Sequence, residues 1–303
     1  MTRHPRVSVV MATFNRAQFL DAAIDSVLSQ SVRDLELIIA DDGSDAATRR
    51  LLSERASDAR VRLLFLAHCG RPARVRNAAL ALARARHVAF QDSDDVWLPD
   101  KLARQLDALR HTPHARWSYT ACAHIDAQGL EVHPQGVAAW RAHRGRILDA
   151  VACLRAHTAL PTILVERSLL AETGRFDENL PLFEDHDLWL RLAACAPVAV
   201  VTQPLVLVRR HDDHYSGHDL LAEVECRAIF LDRAWSTGLE PPARAELRRL
   251  RAMNAARLAL LRASSGNHRA ARHSLWSSAG SGWRYLRWWR EALRTLASRV
   301  DES

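Results

Sequence analysis

The first hundred residues alternate short apolar runs with amphipathic segments. Four apolar runs, at 7–12, 35–40, 61–66 and 87–90, predict buried β-strands. Apolar residues spaced by three and four predict a helix after the first run, and further helices are predicted at 45–55, 74–85 and 99–109. Because strand and helix alternate, the pattern predicts a parallel sheet with crossover helices.

Polar clusters follow three of the predicted strands, at 13–16, 41–44 and 92–95. Since ligands of open α/β sheets bind beyond the carboxyl ends of the strands, we expect the clusters to share one edge. The last cluster contains Asp92, Asp94 and Asp95, whose mutual repulsion needs a counter-charge. A divalent cation that shares its oxygen ligands with a phosphate would supply it. The alternative is a solvated turn that leads into a helix.

Beyond residue 115 the pattern is less regular. Strands are predicted at 117–123, 160–165 and 198–208, the last interrupted by Pro204 and therefore expected at a sheet edge or a bulge. A helix is predicted to begin near residue 184. The chain from 219 onward is predicted to be helical, with breaks near 238–242 and 264–268 and a flexible joint at 277–282. We therefore expect an α/β domain over 1–218 and a helical, basic region over 219–303.

Composition and charge exclude several classes of protein. Hydrophobic residues make up 48% of the 303 residues, and the five cysteines are widely spaced, so neither disorder nor a disulfide framework is expected, and a reducing cytoplasm fits best. The net charge of +7 arises in 222–303, which holds 15 arginines and 8 acidic residues, whereas the remaining 27 basic and 27 acidic residues balance. Binding to nucleic acid is therefore not expected.

The chain resembles the bacterial family 2 glycosyltransferases of the GT-A fold, from Val7 to about Ser216. That fold is Rossmann-like, with a mostly parallel central sheet flanked by helices, and here it would carry a C-terminal helical appendage. Several motifs stand in the family's order. They are Ser8-Val-Val-Met-Ala-Thr-Phe-Asn-Arg16, Ser29-Gln30-Ser31, Asp41-Asp42-Gly43-Ser44, Arg76-Asn77, Asp92-Ser93-Asp94-Asp95, Glu184-Asp185 before Leu188-Trp189-Leu190-Arg191, and Arg209-Arg210-His211-Asp212-Asp213-His214-Tyr215-Ser216.

The resemblance implies an inverting, metal-dependent enzyme that moves one sugar from a nucleotide-sugar donor to a glycan or lipid-linked acceptor in surface polysaccharide biosynthesis. A UDP-sugar is the simplest donor. A Gln-x-x-Arg-Trp element, typical of processive synthases, is missing from the sequence, so single-sugar addition is expected. The alternatives are a nucleotidyltransferase and a non-catalytic GT-A-like binding protein. The intact Asp42, Asp94 and Asp185 favour the enzyme.

The resemblance also implies roles for the acidic run. Asp94 is expected to bind Mg²⁺ or Mn²⁺, Asp92 to face the ribose, and Asp95 to support the site. His211 is expected at the metal or the diphosphate, with a surface histidine as the alternative. Asp185 is expected to be the general base that inversion requires, with Glu184 or a simple helix cap as alternatives.

The nucleotide base is expected on the first two strand ends. By the resemblance, Asp42 accepts the imide N–H of uracil, and Thr13 and Asn15 line the same pocket. Arg76 contacts the nucleotide or, as an equal alternative, pairs with Asp41 in support of the site.

The C-terminal segment 277–300 has an apolar, tryptophan-containing stripe flanked by arginines. Such a helix can lie in an anionic membrane surface, where lipid-linked acceptors reside. The alternative is that the stripe packs on protein. We therefore expect a cytoplasmic protein that binds peripherally to the inner face of the membrane.

Overall fold

The computed structural model describes residues 4–133, 140–156, 158–211, 219–282 and 290. Its strands are β1 Val7–Thr13, β2 Leu35–Asp41, β3 Val61–Phe65, β4 His87–Asp92, β5 Val96–Trp97, β6 Trp117–Ile125, β7 Glu131–Val132, β8 Leu164–Glu166 and β9 Val198–Arg209. Its helices are α1 Ala17–Leu28, α2 Ala46–Arg55, α3 Pro72–Leu80, α4 Lys101–His111, α5 Leu148–Ala152, α6 Arg167–Thr173, α7 Glu184–Cys195, α8 Leu220–Trp235, α9 Pro241–Ser264 and α10 His268–Gly282.

The chain divides into two compact units. The first consists of Met1–Ile147, Ala156–Asn179 and Arg191–His214, and the second of Leu148–Arg155, Leu180–Leu190 and Tyr215–Ser303. The sheet belongs to the first unit. The predicted boundary at residue 218 stays a prediction, because segments from the middle of the chain join the helices of the second unit.

The sheet has the strand order β3-β2-β1-β4-β8-β6-β9-β5, with β7 paired to β6. The four strands predicted from the first hundred residues are mutually parallel, as expected. The sheet also has antiparallel pairs, because β8 is antiparallel to both β4 and β6. These two reversals give β6 the direction of β4, and β9 is parallel to β6. The C-terminal end of β9 therefore points the same way as that of β1.

Burial of the apolar runs explains why they form strands. Every residue of β2 is buried, and the apolar face of α1 that the spacing predicts, Leu20, Ala23, Ile24 and Val27, is fully buried against the sheet. Burial of a leucine- or valine-sized side chain stabilises the fold by about 1.5–3 kcal/mol. This core fixes the positions at which the strands end.

Three details of the sheet differ from the prediction. Pro204 lies within β9, opposite a register shift at Ala121, so the predicted bulge is confirmed. The predicted edge position is wrong, because β9 pairs with β6 on one side and with β5 on the other. Residues 160–162 form a 3₁₀ turn, and β8 begins only at Leu164. The short strand β5 was not predicted, because two residues carry no periodicity.

The second unit is helical. The predicted breaks are confirmed, since α8 ends at Trp235, α9 spans Pro241–Ser264 and α10 begins at His268. The predicted joint at 277–282 is wrong, because α10 continues to Gly282. Most of the segment 277–300 lies outside the described residues. Among the helices of the described chain, none is long and apolar enough to cross a bilayer.

Candidate active site

The carboxyl ends of neighbouring strands bring the predicted polar clusters together at one edge of the sheet. Thr13 at the end of β1 is in register with Asp41 at the end of β2. On the other side of β1, Ala12 is in register with Asp92 at the end of β4. The expectation that these clusters share one edge is therefore confirmed.

His211, two residues after the end of β9, also lies at this edge. Its Nε2 lies 2.9 Å from Asp94 Oδ2, and its ring packs at 5.0 Å from that of Phe19. Arg16 Nε lies 3.8 Å from the same oxygen of Asp94. His211 is therefore not a surface residue of an edge strand, and Asp94 is in contact with one imidazole and near one guanidinium.

The Asp94–His211 pair fits a divalent cation that is only partly ligated by protein. A carboxylate oxygen suits Mg²⁺ and Mn²⁺, and an imidazole nitrogen is a common ligand of transition-metal ions. The 2.9 Å between Asp94 Oδ2 and His211 Nε2 matches two neighbouring ligands of an octahedral ion with bonds of about 2.0–2.1 Å, as Mg²⁺ has. Within the described ranges, no cluster of three or more His, Cys, Asp or Glu could hold a metal. Phosphate oxygens and water would have to complete such a site.

Asp95 lies beneath the other two aspartates and is 3% exposed. Its Oδ1 accepts the Arg209 main-chain N–H at 2.8 Å, and its main-chain oxygen accepts the Gln91 amide at 2.6 Å. Burial, followed by the charges of Asp92 and Asp94, raises the pKa of Asp95 well above its ordinary value. This is the electrostatic strain that three adjacent carboxylates predict.

Arg209 holds the acidic turn in place, a role that sequence reasoning missed. The side chain is buried; its Nε donates to the main-chain oxygen of Asp94 at 2.9 Å, and its Nη1 donates to those of Asp126 and Ala127 at 2.9 and 3.1 Å. The guanidinium also lies 4.8 Å from the ring centre of Phe19. A signal was present in the sequence, because this arginine directly follows the predicted strand 198–208, two residues before His211.

Asp92 pairs with Arg76. Arg76 Nη2 donates to Asp92 Oδ1 at 3.0 Å, and the guanidinium lies 5.7 Å from the centre of the Phe176 ring. The alternative in which Arg76 pairs with Asp41 is therefore wrong. Asp41 instead accepts from Arg49 Nε at 3.1 Å and from the Ser44 main-chain N–H. Asp41 thus supports the turn after β2, as expected of a structural residue.

The residues predicted to bind the base, Thr13, Asn15 and Asp42, lie at the end of β1 and in the loops after β1 and β2. Asn15 has a left-handed backbone with φ of 50°, which asparagine tolerates better than most residues. Its main-chain N–H donates to Ser44 Oγ at 2.9 Å, and its Oδ1 accepts the Asp45 N–H at 2.8 Å. Thr13 is buried beside this junction at the end of β1. The two loops are thereby held to one another.

The Asp42 carboxylate accepts hydrogen bonds within the protein that the prediction did not include. Its two carboxylate oxygens accept the main-chain N–H groups of Cys69 and Gly70, each at 2.9 Å, and His68 Nδ1 lies 3.1 Å from Oδ2. Each carboxylate oxygen has two acceptor positions, so a further donor can still bind. Phe14 is 40% exposed and stacks on the His68 ring at 4.2 Å. His68 is a second residue of this edge that the sequence did not indicate.

The predicted general base lies on the second unit. Asp185 and Glu184 occupy the first turn of α7, where a negative charge is favoured by the helix dipole. Asp185 Oδ1 accepts the main-chain N–H of His186 at 2.7 Å and lies 2.9 Å from His186 Nδ1. The next acid, Asp187, is buried and pairs with Arg233 Nη1 at 2.7 Å. Asp185 as the base stays a prediction.

The edge of the first unit carries chemical groups suited to a phosphorylated nucleoside. It presents an exposed aromatic ring, polar main-chain groups, and a carboxylate–imidazole pair suited to a cation. Its cations are already shared with carboxylates, as in Arg76–Asp92 and Arg49–Asp41. A bound diphosphate would therefore need an additional positive charge, which a divalent metal supplies.

Sequence comparison identifies relatives of this chain. The family model for glycosyl transferase family 2 matches residues 8–156. The Escherichia coli UDP-Glc:alpha-D-GlcNAc-diphosphoundecaprenol beta-1,3-glucosyltransferase WfgD is 30% identical over 190 residues, which are 61% of this chain and 69% of that protein. Some relatives are longer: an uncharacterized glycosyltransferase of Rickettsia felis is 30% identical over 67% of this chain, but the match spans 33% of its own length.

Structural comparison shows the same fold in solved glycosyltransferases. S. aureus TarS 1-349 in complex with UDP-GlcNAc aligns with a TM-score of 0.64 and 18% identity, over 80% of this chain and 70% of that chain. The mannosyltransferase PcManGT from Pyrobaculum calidifontis, in complex with GDP-Man and Mn²⁺, aligns with a TM-score of 0.59 and 19% identity, over 100% of this chain and 89% of that one. The expected GT-A fold is confirmed, and the chain belongs to glycosyl transferase family 2.

Proposed function

We propose that this glycosyltransferase is an inverting, metal-dependent enzyme that moves one sugar from a nucleotide-sugar donor, most simply a UDP-sugar, to a glycan or lipid-linked acceptor in surface polysaccharide biosynthesis. The observation that carries the proposal is the Asp94–His211 contact at the carboxyl edge of the sheet, beside the ends of β1, β2 and β4. Such an edge is where an α/β sheet binds nucleotides.

Asp94 and His211 would hold Mg²⁺ or Mn²⁺. The bound cation would act as a Lewis acid that neutralises the leaving diphosphate. The protein itself orients the ligands: Arg209 fixes the main chain of Asp94, and Phe19 packs against the His211 ring. Asp92, restrained by Arg76, would face the ribose of the donor. A metal is supported by the Mn²⁺ in the PcManGT complex.

The nucleoside would occupy the pocket formed by Thr13, Asn15 and Asp42. The exposed ring of Phe14, stacked on His68, offers an apolar face to the base. Asp42 would accept an imide N–H through the acceptor positions that its two main-chain partners leave. UDP-sugars are supported by the names of WfgD and of the TarS complex, whereas the PcManGT complex contains GDP-Man.

Asp185 would act as the general base that removes the proton of the acceptor hydroxyl. Inversion requires such a base, and a positioned base typically contributes about 10²–10⁴-fold to the rate. The assignment is supported by the family resemblance of the Glu184-Asp185 pair before Leu188-Trp189-Leu190-Arg191.

The acceptor would be presented at an anionic membrane surface. WfgD is named for a diphosphoundecaprenol acceptor. In this chain, the outward face of α10 carries Arg269, Arg272 and His273 beside Trp276, whose side chain is 78% exposed. Cations around an exposed tryptophan are typical of a helix that lies in the membrane interface. Flotation with phosphatidylglycerol vesicles tests this, and unchanged partition of a Trp276→Ala, Arg272→Gln variant would contradict it.

The donor and the reaction are tested together. Thermal-shift screening of nucleotide sugars with Mn²⁺ should show one donor that raises the melting temperature, because a ligand stabilises the state that it binds. With that donor, Asp185→Asn should keep donor affinity and lose at least about 10²-fold in transfer. Asn179→Ala, at an exposed turn position before α7, serves as the control. Transfer by Asp185→Asn at the wild-type rate would contradict the assignment of the base.

A further inference from the structure

His186 occupies the position directly after the proposed base. We propose that His186 is a positioning residue that fixes the orientation of the Asp185 carboxylate for proton transfer; this inference rests on the proposed function of Asp185. The His186 side chain would act through Asp185 rather than on the substrate.

The contact between the two side chains is direct. The main-chain N–H of His186 donates to Asp185 Oδ1 at 2.7 Å, and His186 Nδ1 lies 2.9 Å from the same oxygen. An ionised carboxylate has only acceptor positions, so Nδ1 must carry the hydrogen in this contact. Two donors on one oxygen restrain the rotation of the carboxylate about its Cβ–Cγ bond. Oδ1 is thereby held by two donors of the same residue.

The imidazole is itself held by three aromatic rings of the second unit. Its centre lies 4.8 Å from that of Phe183, 4.8 Å from that of Trp189 and 6.1 Å from that of Phe230, the last in an edge-on arrangement. Packing of this kind restricts the ring to one orientation. The donor at Nδ1 is therefore placed by the core of the unit and not by a mobile surface side chain.

The main chain at this point is also constrained. Phe183, a non-glycine residue, has φ of 65°, a conformation that persists only where its surroundings impose it. Its main-chain oxygen accepts the Asp187 N–H at 3.0 Å, and Asp187 is tied to Arg233. The main chain on both sides of Asp185 and His186 is thus fixed, and the contacts of His186 restrain the rotation of the Asp185 side chain.

Two variants separate the hydrogen-bond donor of His186 from the packing of its ring. His186→Phe keeps a ring within the aromatic contacts but has no donor. His186→Asn loses the ring but places an amide N–H near the former position of Nδ1. If the histidine acts by orienting the carboxylate, the phenylalanine variant must be slow and the asparagine variant must recover activity. If it serves only to pack the helix start, the order is reversed.

The experiment measures steady-state transfer with the donor found in the screen. His186→Phe should lower kcat by about 10–100-fold, since a small misplacement of a catalytic group can cost on the order of 10²-fold. KM and Kd for the donor should not change, and His186→Asn should recover most of kcat. Equal kcat in His186→Phe and wild type, or equal losses in both variants, would overturn the proposal.

The double variant distinguishes this inference from the proposed function. In the Asp185→Asn background, His186→Phe should cause no additional loss, because the carboxylate that it orients is gone. If Asp185→Asn itself remains active, the base assignment fails. If Asp185→Asn is inactive while His186→Phe is fully active, only the inference about His186 fails.

If His186→Phe does not fold, His186→Gln replaces it, because the glutamine amide reaches the position of Nε2 and not that of Nδ1. His186→Gln should be as slow as expected for His186→Phe. Activity of His186→Gln equal to that of His186→Asn would overturn the proposal.

Discussion

Asp95 is a buried member of the acidic run whose ionised form is disfavoured by its surroundings. Burial and the neighbouring Asp92 and Asp94 raise its pKa in the folded protein. A raised pKa means that the folded state holds the proton more tightly than the unfolded state. The resulting stabilisation is fully present below the unfolded pKa of about 3.9 and is lost as the pH rises through the folded pKa.

Asp95→Asn should therefore stabilise the protein relative to wild type by an amount that grows as the pH rises. The asparagine Oδ1 can still accept the Arg209 N–H, and it carries no charge to desolvate. Thermal unfolding in EDTA between pH 5 and pH 8 checks this, and a difference of 1 kcal/mol should appear as roughly 2–4 °C. A variant that is less stable than wild type at pH 8 would contradict the account.

Asp58→Asn is the matched control for this titration. Arg60 donates to the Asp58 carboxylate and lowers its pKa. The stabilisation from Asp58 is present above its unfolded pKa and is lost only as the pH falls through the lowered folded pKa. The difference in stability between Asp58→Asn and wild type should thus be constant from pH 5 to pH 8.

At the scale of elements, the junction between β9 and the acidic turn holds the site together. Arg209→Met removes three donors to main-chain oxygens and leaves Asp94 O, Asp126 O and Ala127 O without this partner. We expect a loss of about 2–4 kcal/mol in the free energy of unfolding. Urea denaturation measures it. Arg210→Met, at the adjacent exposed position, should change the free energy by less than about 0.5 kcal/mol; equal losses would show that Arg209 has no special role.

The local patterns of the sequence were sufficient for the elements on which the edge is built. The strands β1, β2 and β4 were predictable because each is a continuous apolar run that ends in polar residues. The partner of Arg76 was not, since pairing with Asp92 or Asp41 depends on side-chain direction across adjacent strand ends. The helical continuation through 277–282 was also missed, because glycine and serine there disfavour helix in isolation.

At the scale of the whole molecule, the position of His211 shows what the sequence alone could not provide. β8 is antiparallel to both of its neighbours, β4 and β6, and β9 is parallel to β6. β9 therefore has the direction of β1, and this direction brings His211 to Asp94. No local pattern encodes that order of strands. The family resemblance supplied the expected contact, and the topology explains how residues 117 positions apart come to form it.

The central claim is that this edge binds a nucleoside diphosphate through a divalent cation on Asp94. Asp94→Ala should weaken the binding of UDP in Mn²⁺ by at least about tenfold, because the cation loses its protein carboxylate. Asp100→Ala, which removes an exposed carboxylate nearby in sequence, should not weaken it.

Isothermal titration calorimetry of UDP into the full chain, with Mn²⁺ and then with EDTA, measures this dependence on the cation. We expect tight binding by wild type and Asp100→Ala in Mn²⁺, weak binding by Asp94→Ala, and weak binding by all three proteins in EDTA. Wild-type affinity that is unchanged by EDTA, or Asp94→Ala affinity equal to that of wild type in Mn²⁺, would contradict it.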